Sequence, residues 1–149
     1  RDKGGNIMSV EENKAIARRV VEEIFNKGNL ALIPEVYAPN LVFHAPGGQD
    51  VKGPEGMKQT VNMLRTAFPD MRMSINNLVA EGDMLVLRYT LTGTHKGPLM
   101  GIPPTGKPVT MSGIVMSKIV NGKEVEGWEA LDRLSIMQQL GVIPPMGQG

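Results

Sequence analysis

The tripeptide Phe68-Pro69-Asp70 divides the chain into two parts with different hydrophobic periods, and that change constrains the fold more than any other feature. Before it, apolar residues recur at helical spacing. Ile16, Val20 and Ile24, with Ala17, Val21 and Phe25, form one stripe, and Met57, Val61, Leu64 and Phe68 form another. After it, Met71, Met73 and Ile75 alternate, and the segments 84–94, 108–120 and 124–131 are long and rich in β-formers. Helices first and an antiparallel meander afterwards predict an α+β domain with the helices packed on one face of the sheet.

Local signals set the expected boundaries. Ser9 with Glu12 makes a capping box, so a first helix is expected over about 10–26, closed by Lys27-Gly28. A short, irregular helical stretch with Leu30, Ile33, Val36 and Tyr37 follows, interrupted by Pro34. A first strand over 41–44 ends at Pro46-Gly47-Gly48, and Gly53-Pro54-Glu55 opens the next helix. Glu81-Gly82-Asp83 and Asn121-Gly122 turn two hairpins, Gly93 marks a bulge or bend, and 96–107 is a structured loop. A last helix carries Leu134, Met137 and Leu140 and stops at Gly141. Strands this long must twist and bend. A bent sheet closed by helices on its concave side is a cone with a pocket, and its convex side needs cover, for which a homodimer, or a tetramer, is expected.

Composition narrows the partners. At 149 residues the chain fits one domain, taken as 8–149, with 1–7 an appended or disordered leader. Charged residues are 21% and the net charge is +1, which gives no field for nucleic acid or a membrane surface. No apolar run approaches the ~20 residues of a bilayer span, so a cytoplasmic location is expected. With no cysteine and two histidines, His44 and His95, neither a metal nor another cofactor is expected. Eleven methionines against 4% aromatics suit a malleable pocket for an apolar small molecule, although most methionines of any chain are core filler.

The chemistry concentrates where the last strand meets the last helix. An unbroken period of two puts Glu124, Glu126, Trp128, Ala130 and Asp132 on one face and Val125, Gly127, Glu129 and Leu131 on the other. Asp132 thereby ends a row that holds the only tryptophan. An aspartate facing an apolar interior has to be paired, neutralised or used, and burial moves a carboxyl towards the range useful for proton transfer. The same Asp132 is also a good helix N-cap, and both roles can hold at once. His44 shares a strand face with Val42, as a structural residue or a second proton-transfer group.

Four sequence pieces carry a resemblance: Gly53-Pro54-Glu55-Gly56, Thr92-Gly93-Thr94-His95-Lys96-Gly97, Met100-Gly101-Ile102-Pro103-Pro104-Thr105-Gly106, and Trp128 to Asp132 followed by Gln139-Leu140-Gly141. In this order the chain, from about Val10 to Ile143, resembles the SnoaL-like polyketide cyclases, or ester cyclases, of the nuclear transport factor 2-like superfamily. The resemblance implies a cone-shaped α+β barrel and a cofactor-independent enzyme that closes a polyketide ring by intramolecular aldol condensation. It implies Asp132 as the acid/base, with His44 able to substitute for a histidine that the characterised cyclases carry on the penultimate strand. That position is Val115 here. Trp128, Tyr37, Leu64, Phe68, Met73, His95 and Met111 are the expected substrate-binding set, His95 also being expected to bond the proline-rich loop. Related isomerase, dehydratase or hydrolase activities stay open. So do a non-catalytic carrier or sensor of an apolar molecule, and a purely structural dimerisation module.

Overall fold

The computed structural model describes residues 9–147. The expected leader, 1–7, lies outside the described residues. Helix α1 (Val10–Arg19) starts at the capping box, in which Glu12 N–H donates to Ser9 Oγ at 3.1 Å. It continues without a break into a π-helical segment, Val20–Asn26. Two anchors hold that segment's end: Arg65 Nη1 donates to the Phe25 and Asn26 carbonyls at 2.8 and 2.7 Å, and the Asn26 side chain pairs with both backbone groups of Met73. A 3-10 turn (Leu30–Leu32) and the short helix α2 (Ile33–Val36) follow, with Pro34 in the first turn of α2, where its missing N–H costs nothing.

The strands are β1 (Tyr37–His44), β2 (Asp50–Lys52), β3 (Arg72–Glu81), β4 (Met84–Thr94), β5 (Pro108–Val120) and β6 (Lys123–Leu131). Helix α3 (Gly53–Ala67) separates β2 from β3, and α4 (Arg133–Gln139) follows β6. They form one mixed sheet in the order β2-β1-β6-β5-β4-β3, with β2 and β3 at its open edges. The meander β3 to β6 is antiparallel as expected, but β1 joins β6 in parallel. Tyr37 opens β1 rather than closing a helix. Ala38 precedes Pro39 and is thereby steered to extended backbone, so the strand starts early. Strand β2 escaped the sequence reading because three residues are too few to show a period. At the β5–β6 turn Asn121 and Gly122 have φ of 51° and 79°, as a type I′ hairpin requires.

The helices lie on the concave face, where Leu85, Leu87 and Leu91 of β4 and Val109 and Met111 of β5 meet Ala17, Val21, Ala67 and Phe68. A second cluster joins Ile24, Ile33, Val36, Leu41, Met57 and Val61 beneath α3. Gly93 is not a bulge: it stays in register with Val109, and the space of its missing side chain is filled by Phe68, whose Cβ lies 2.8 Å from where a Cβ would be. The bulges sit elsewhere. One is on β3, between Ile75 and Asn77, another on β6, where Val125 is the extra residue between the pairs Ile119–Glu124 and Lys118–Glu126, and the register of β1 against β6 also shifts between Tyr37 and Val42.

Candidate functional site

The bulge at Val125 resets which residues of β6 face inwards. On β5, Val115, Ser117 and Ile119 line the concave face, and their partners on β6 are Glu129, Gly127 and Glu124. Glu124 therefore points inwards with Glu129 and Leu131, while Glu126, Trp128 and Ala130 pair with Lys118, Met116 and Ile114 on the convex face. The unbroken alternation expected from the sequence fails by this one residue. Between the helices and the concave face lies a cavity of about 440 Å³. Its walls are mostly apolar, its exposed mouth includes Gln49, Asp50, Met100 and Arg133, and its closed end holds Val36, Tyr37, Leu85, Ile119 and Glu124.

Its principal polar pair spans three strands. Tyr89 on β4 donates from its hydroxyl to Glu129 Oε2 at 2.6 Å, reaching across β5 above Gly113. A side chain at 113 would collide with that ring, because its Cβ would stand 2.5 Å from the Tyr89 oxygen. Burial raises the Glu129 carboxyl above its ordinary value, and the Tyr89 hydrogen bond pulls part of the way back. Burial first, then the neighbouring Glu129 charge, pushes the Tyr89 phenol well up, so it stays a donor. Carboxyl and phenol form a neutral-donor pair in an apolar surrounding, an arrangement that can hold and exchange a proton.

The residues expected from sequence divide sharply. Tyr37, Leu64, Met73 and Met111 line the cavity, as does Val115. Asp132 does not: it is exposed beyond the end of β6, and its Oδ1 accepts from Ser135 N–H at 3.1 Å as the N-cap of α4. Trp128 lies on the convex face, stacked on His44 with ring centroids 5.6 Å apart. His44 is outside the cavity too, its Nδ1 2.9 Å from Asp50 Oδ1 and its Nε2 2.8 Å from Glu126 Oε2. Those two carboxylates, Glu126 first, raise its pKa. Phe68 is fully buried in the core rather than in the cavity wall. His95 is fully buried beside Phe68, and its Nδ1 accepts from Thr105 N–H at 3.2 Å, which ties down the proline-rich loop. Glu129, Tyr89 and Glu124 were missed. The available signal was a glycine in the middle of each of β5 and β6, Gly113 and Gly127, since a strand glycine marks a close approach.

No helix among the described residues is long and apolar enough to cross a membrane, and no three His, Cys, Asp or Glu side chains there are grouped to hold a metal ion. The family model for SnoaL-like polyketide cyclases matches residues 15–140, and the chain belongs to that family. Among curated proteins none matches. Several solved structures do. One is wild-type IdmH, a proposed polyketide cyclase from Streptomyces antibioticus, at 32% identity over 87% of this chain and 98% of that one, TM-score 0.76. A proposed polyketide cyclase from Acidithiobacillus ferrooxidans is 33% identical over 91% and 99%, TM-score 0.75. AclR, a proposed hydroxylase from Streptomyces galilaeus, is 29% identical over 94% and 87%, TM-score 0.81.

Proposed function

We propose that the protein is a cofactor-independent, polyketide cyclase-like enzyme in which Glu129, not Asp132, is the acid/base. Membership of the family supports the class of activity, and the Glu129–Tyr89 pair inside an apolar cavity is the observation that carries the assignment. A further support is positional: Val115, where the characterised cyclases carry a histidine, is the cross-strand partner of Glu129 and lines the same cavity. In the proposed reaction the Glu129 carboxylate takes a proton from an activated methylene. The resulting enolate carbon bonds to a carbonyl carbon of the same molecule, and the new alkoxide oxygen receives a proton. Tyr89 orients the carboxylate and keeps it from rising further towards the protonated state. The test is Glu129→Gln, assayed on aromatic polyketide esters for ring closure and on simple β-dicarbonyls for exchange of the methylene protons into heavy water. Wild-type activity that survives unchanged in the variant removes Glu129 from the mechanism.

A second reading, a carrier or sensor without turnover, is favoured by Val115 itself, because an apolar side chain beside Glu129 supplies no second proton-transfer group. Tight binding of an aromatic ester with no exchange in any variant decides for that reading.

We also propose a homodimer through the convex face. There Trp128, Met116, Val86 and Val79 form one row across β6, β5, β4 and β3, with Ile114 and Ala130 alongside. Val79 is 59% exposed and Ile114 46%, on the side of the sheet that no helix among the described residues covers. Sedimentation should give twice the chain mass, and Met116→Arg, at the middle of the row, should give the monomer. A wild-type monomer at all practical concentrations refutes the interface.

A further inference from the structure

Glu124 has no part in the chemistry assigned to Glu129, yet the fold makes special provision for it. It is buried at the closed end of the cavity, 8% exposed, paired with Tyr37 on β1 and Ile119 on β5. Were Val125 an ordinary paired residue of the ladder, Glu124 would face outwards with Glu126. Its carboxyl lies over Gly127, where a Cβ would be 2.5 Å from Glu124 Oε1 and equally close to the Phe43 ring. Oε1 has no hydrogen-bond partner among the described residues. An unpaired buried polar atom costs stability, so a carboxyl placed by a bulge, accommodated by a glycine and left with an open oxygen is suited to a ligand group.

We propose that Glu124 is the floor subsite of the cavity, a carboxylic acid that donates a hydrogen bond to a ketone oxygen at the buried end of an aromatic ligand. The proposal rests on the cavity being the ligand site and extends that reading to substrate class: the molecule enters oxygen first, and its reacting methylene lies higher, beside Glu129. Burial pushes the Glu124 carboxyl up to about 7, the Ser117 hydroxyl pulling against that and the Glu129 charge adding to it. Below that value the group is a donor; above it, a charge that repels the ketone. The other titratable groups on the cavity wall near it are Tyr37 from β1, Tyr89 from β4 and Glu129 from β6. The helical wall there, Ile16, Val20, Val21 and Val36, is apolar, and Asp50 and Arg133 stand at the exposed mouth.

The experiment compares two probes of one shape, acetylnaphthalene with the oxygen and ethylnaphthalene without it, titrated calorimetrically at about pH 5.5 and about pH 8.5, on either side of that pKa. Wild type should prefer the ketone by roughly tenfold at the lower pH, the scale of one good hydrogen bond, and lose the preference at the higher. Glu124→Gln keeps a donor of the same shape and should keep the preference at both. Glu124→Leu should bind the two probes alike while folding at least as stably, since it removes a buried polar group. A ketone preference that survives in Glu124→Leu, a pH dependence that survives in Glu124→Gln, or failure of wild type to bind either probe overturns the subsite. Glu129→Gln separates the two readings: it should abolish methylene exchange and leave the ketone preference intact. Retained exchange there overturns the base and leaves Glu124 standing.

Discussion

Strand β6 carries carboxylates on both of its faces, and the two sets live under opposite conditions. Outside, Glu126 shares His44 with Asp50 in a cluster whose side chains are 37–44% exposed, and the histidine ring stacks on Trp128. Water reaches every member, so the pairing shifts a titration without contributing much to stability. Inside, Glu129 has Tyr89 alone as hydrogen-bond partner among the described residues, and Glu124 Oε1 has none. There burial dominates, and both carboxyls are raised. One strand thus offers two chemistries, and the alternation of faces with a single bulge decides which residue gets which. The residues that draw the eye in the sequence, the lone tryptophan and a histidine, fall on the face that solvent already serves.

The strongest way to break this contrast is a matched pair of charge removals. Glu129→Gln should lower ring closure or methylene exchange by roughly 10²- to 10⁴-fold, the contribution of one general acid/base. Glu126→Gln, three residues away on the other face, should leave either rate within about twofold, while the His44 resonance titrates lower in a proton NMR experiment because it has lost its main raising partner. A large loss of activity in Glu126→Gln would move the site to the convex face.

Stability against pH sharpens the comparison next. Glu124 has a folded-state pKa of about 7 against an ordinary 4.5, so it binds its proton more tightly when folded. Its contribution is complete below about pH 4.5 and is lost as pH rises through about 7, to a total of about 3 kcal/mol. The convex His44 is also raised, so its pairing too is fully present below the unfolded value and lost as pH rises through the folded one. Denaturant unfolding of wild type and Glu124→Gln separates them, since His44 is common to both proteins. The variant should gain on wild type steadily across that window and be flat relative to it outside. A constant difference between the two would mean that Glu124 is not desolvated.

A smaller effect should come from the glycine beneath Tyr89. Gly113→Ala places a Cβ 2.5 Å from the phenol oxygen and 2.7 Å from its ring carbon, so the ring must shift, at about 1–3 kcal/mol for overpacking. Tyr89→Phe removes the same hydrogen bond without crowding. Both should move the alkaline-favoured limb of the activity profile to higher pH, because the bond that lowers the Glu129 carboxyl is gone. On the convex face, Ala130→Val touches neither Tyr89 nor Glu129 and should leave the profile where it is.

The helices, the antiparallel meander, the capping box, the Asn121-Gly122 hairpin and four of the cavity's lining residues, Tyr37, Leu64, Met73 and Met111, were legible in the sequence because they depend on local periodicity and turn chemistry. The proposed acid/base was not: an unbroken period already sets Glu129 opposite Trp128 but does not say which face is inner, and the bulge at Val125 hides Glu124 alone. A bulge leaves no mark on a strand's composition, yet it shifts the phase of all residues on one side of it. Reading β6 as unbroken placed Glu124 with Trp128 and continued the row to Asp132, although Leu131 already ends the strand. Strand β4 gave the better clue to which face is inside. Leu85, Leu87, Tyr89 and Leu91 alternate with Val86, Arg88 and Thr90, and they put a tyrosine on the inner row.

The smallest expected effects belong to Asp132, and they discriminate most finely between a cap and a catalyst. Its Oδ1 accepts from Ser135 N–H, so it satisfies one of the free donors at the start of α4, a helix anchored by the fully buried Ile136. Asparagine caps as well as aspartate does, so Asp132→Asn should alter unfolding free energy by a few tenths of a kcal/mol and leave methylene exchange unchanged. Asp132→Ala should cost about 1 kcal/mol in stability, again with exchange unchanged once measured well below the melting transition. The pair of variants therefore separates the two roles by opposite patterns. A cap tolerates asparagine and not alanine, with activity untouched by both; an acid/base tolerates neither in activity. If both substitutions abolished exchange while stability followed the cap pattern, the reacting end of the substrate would have to lie outside the cavity, at the exposed start of α4, and Glu129 would lose its place.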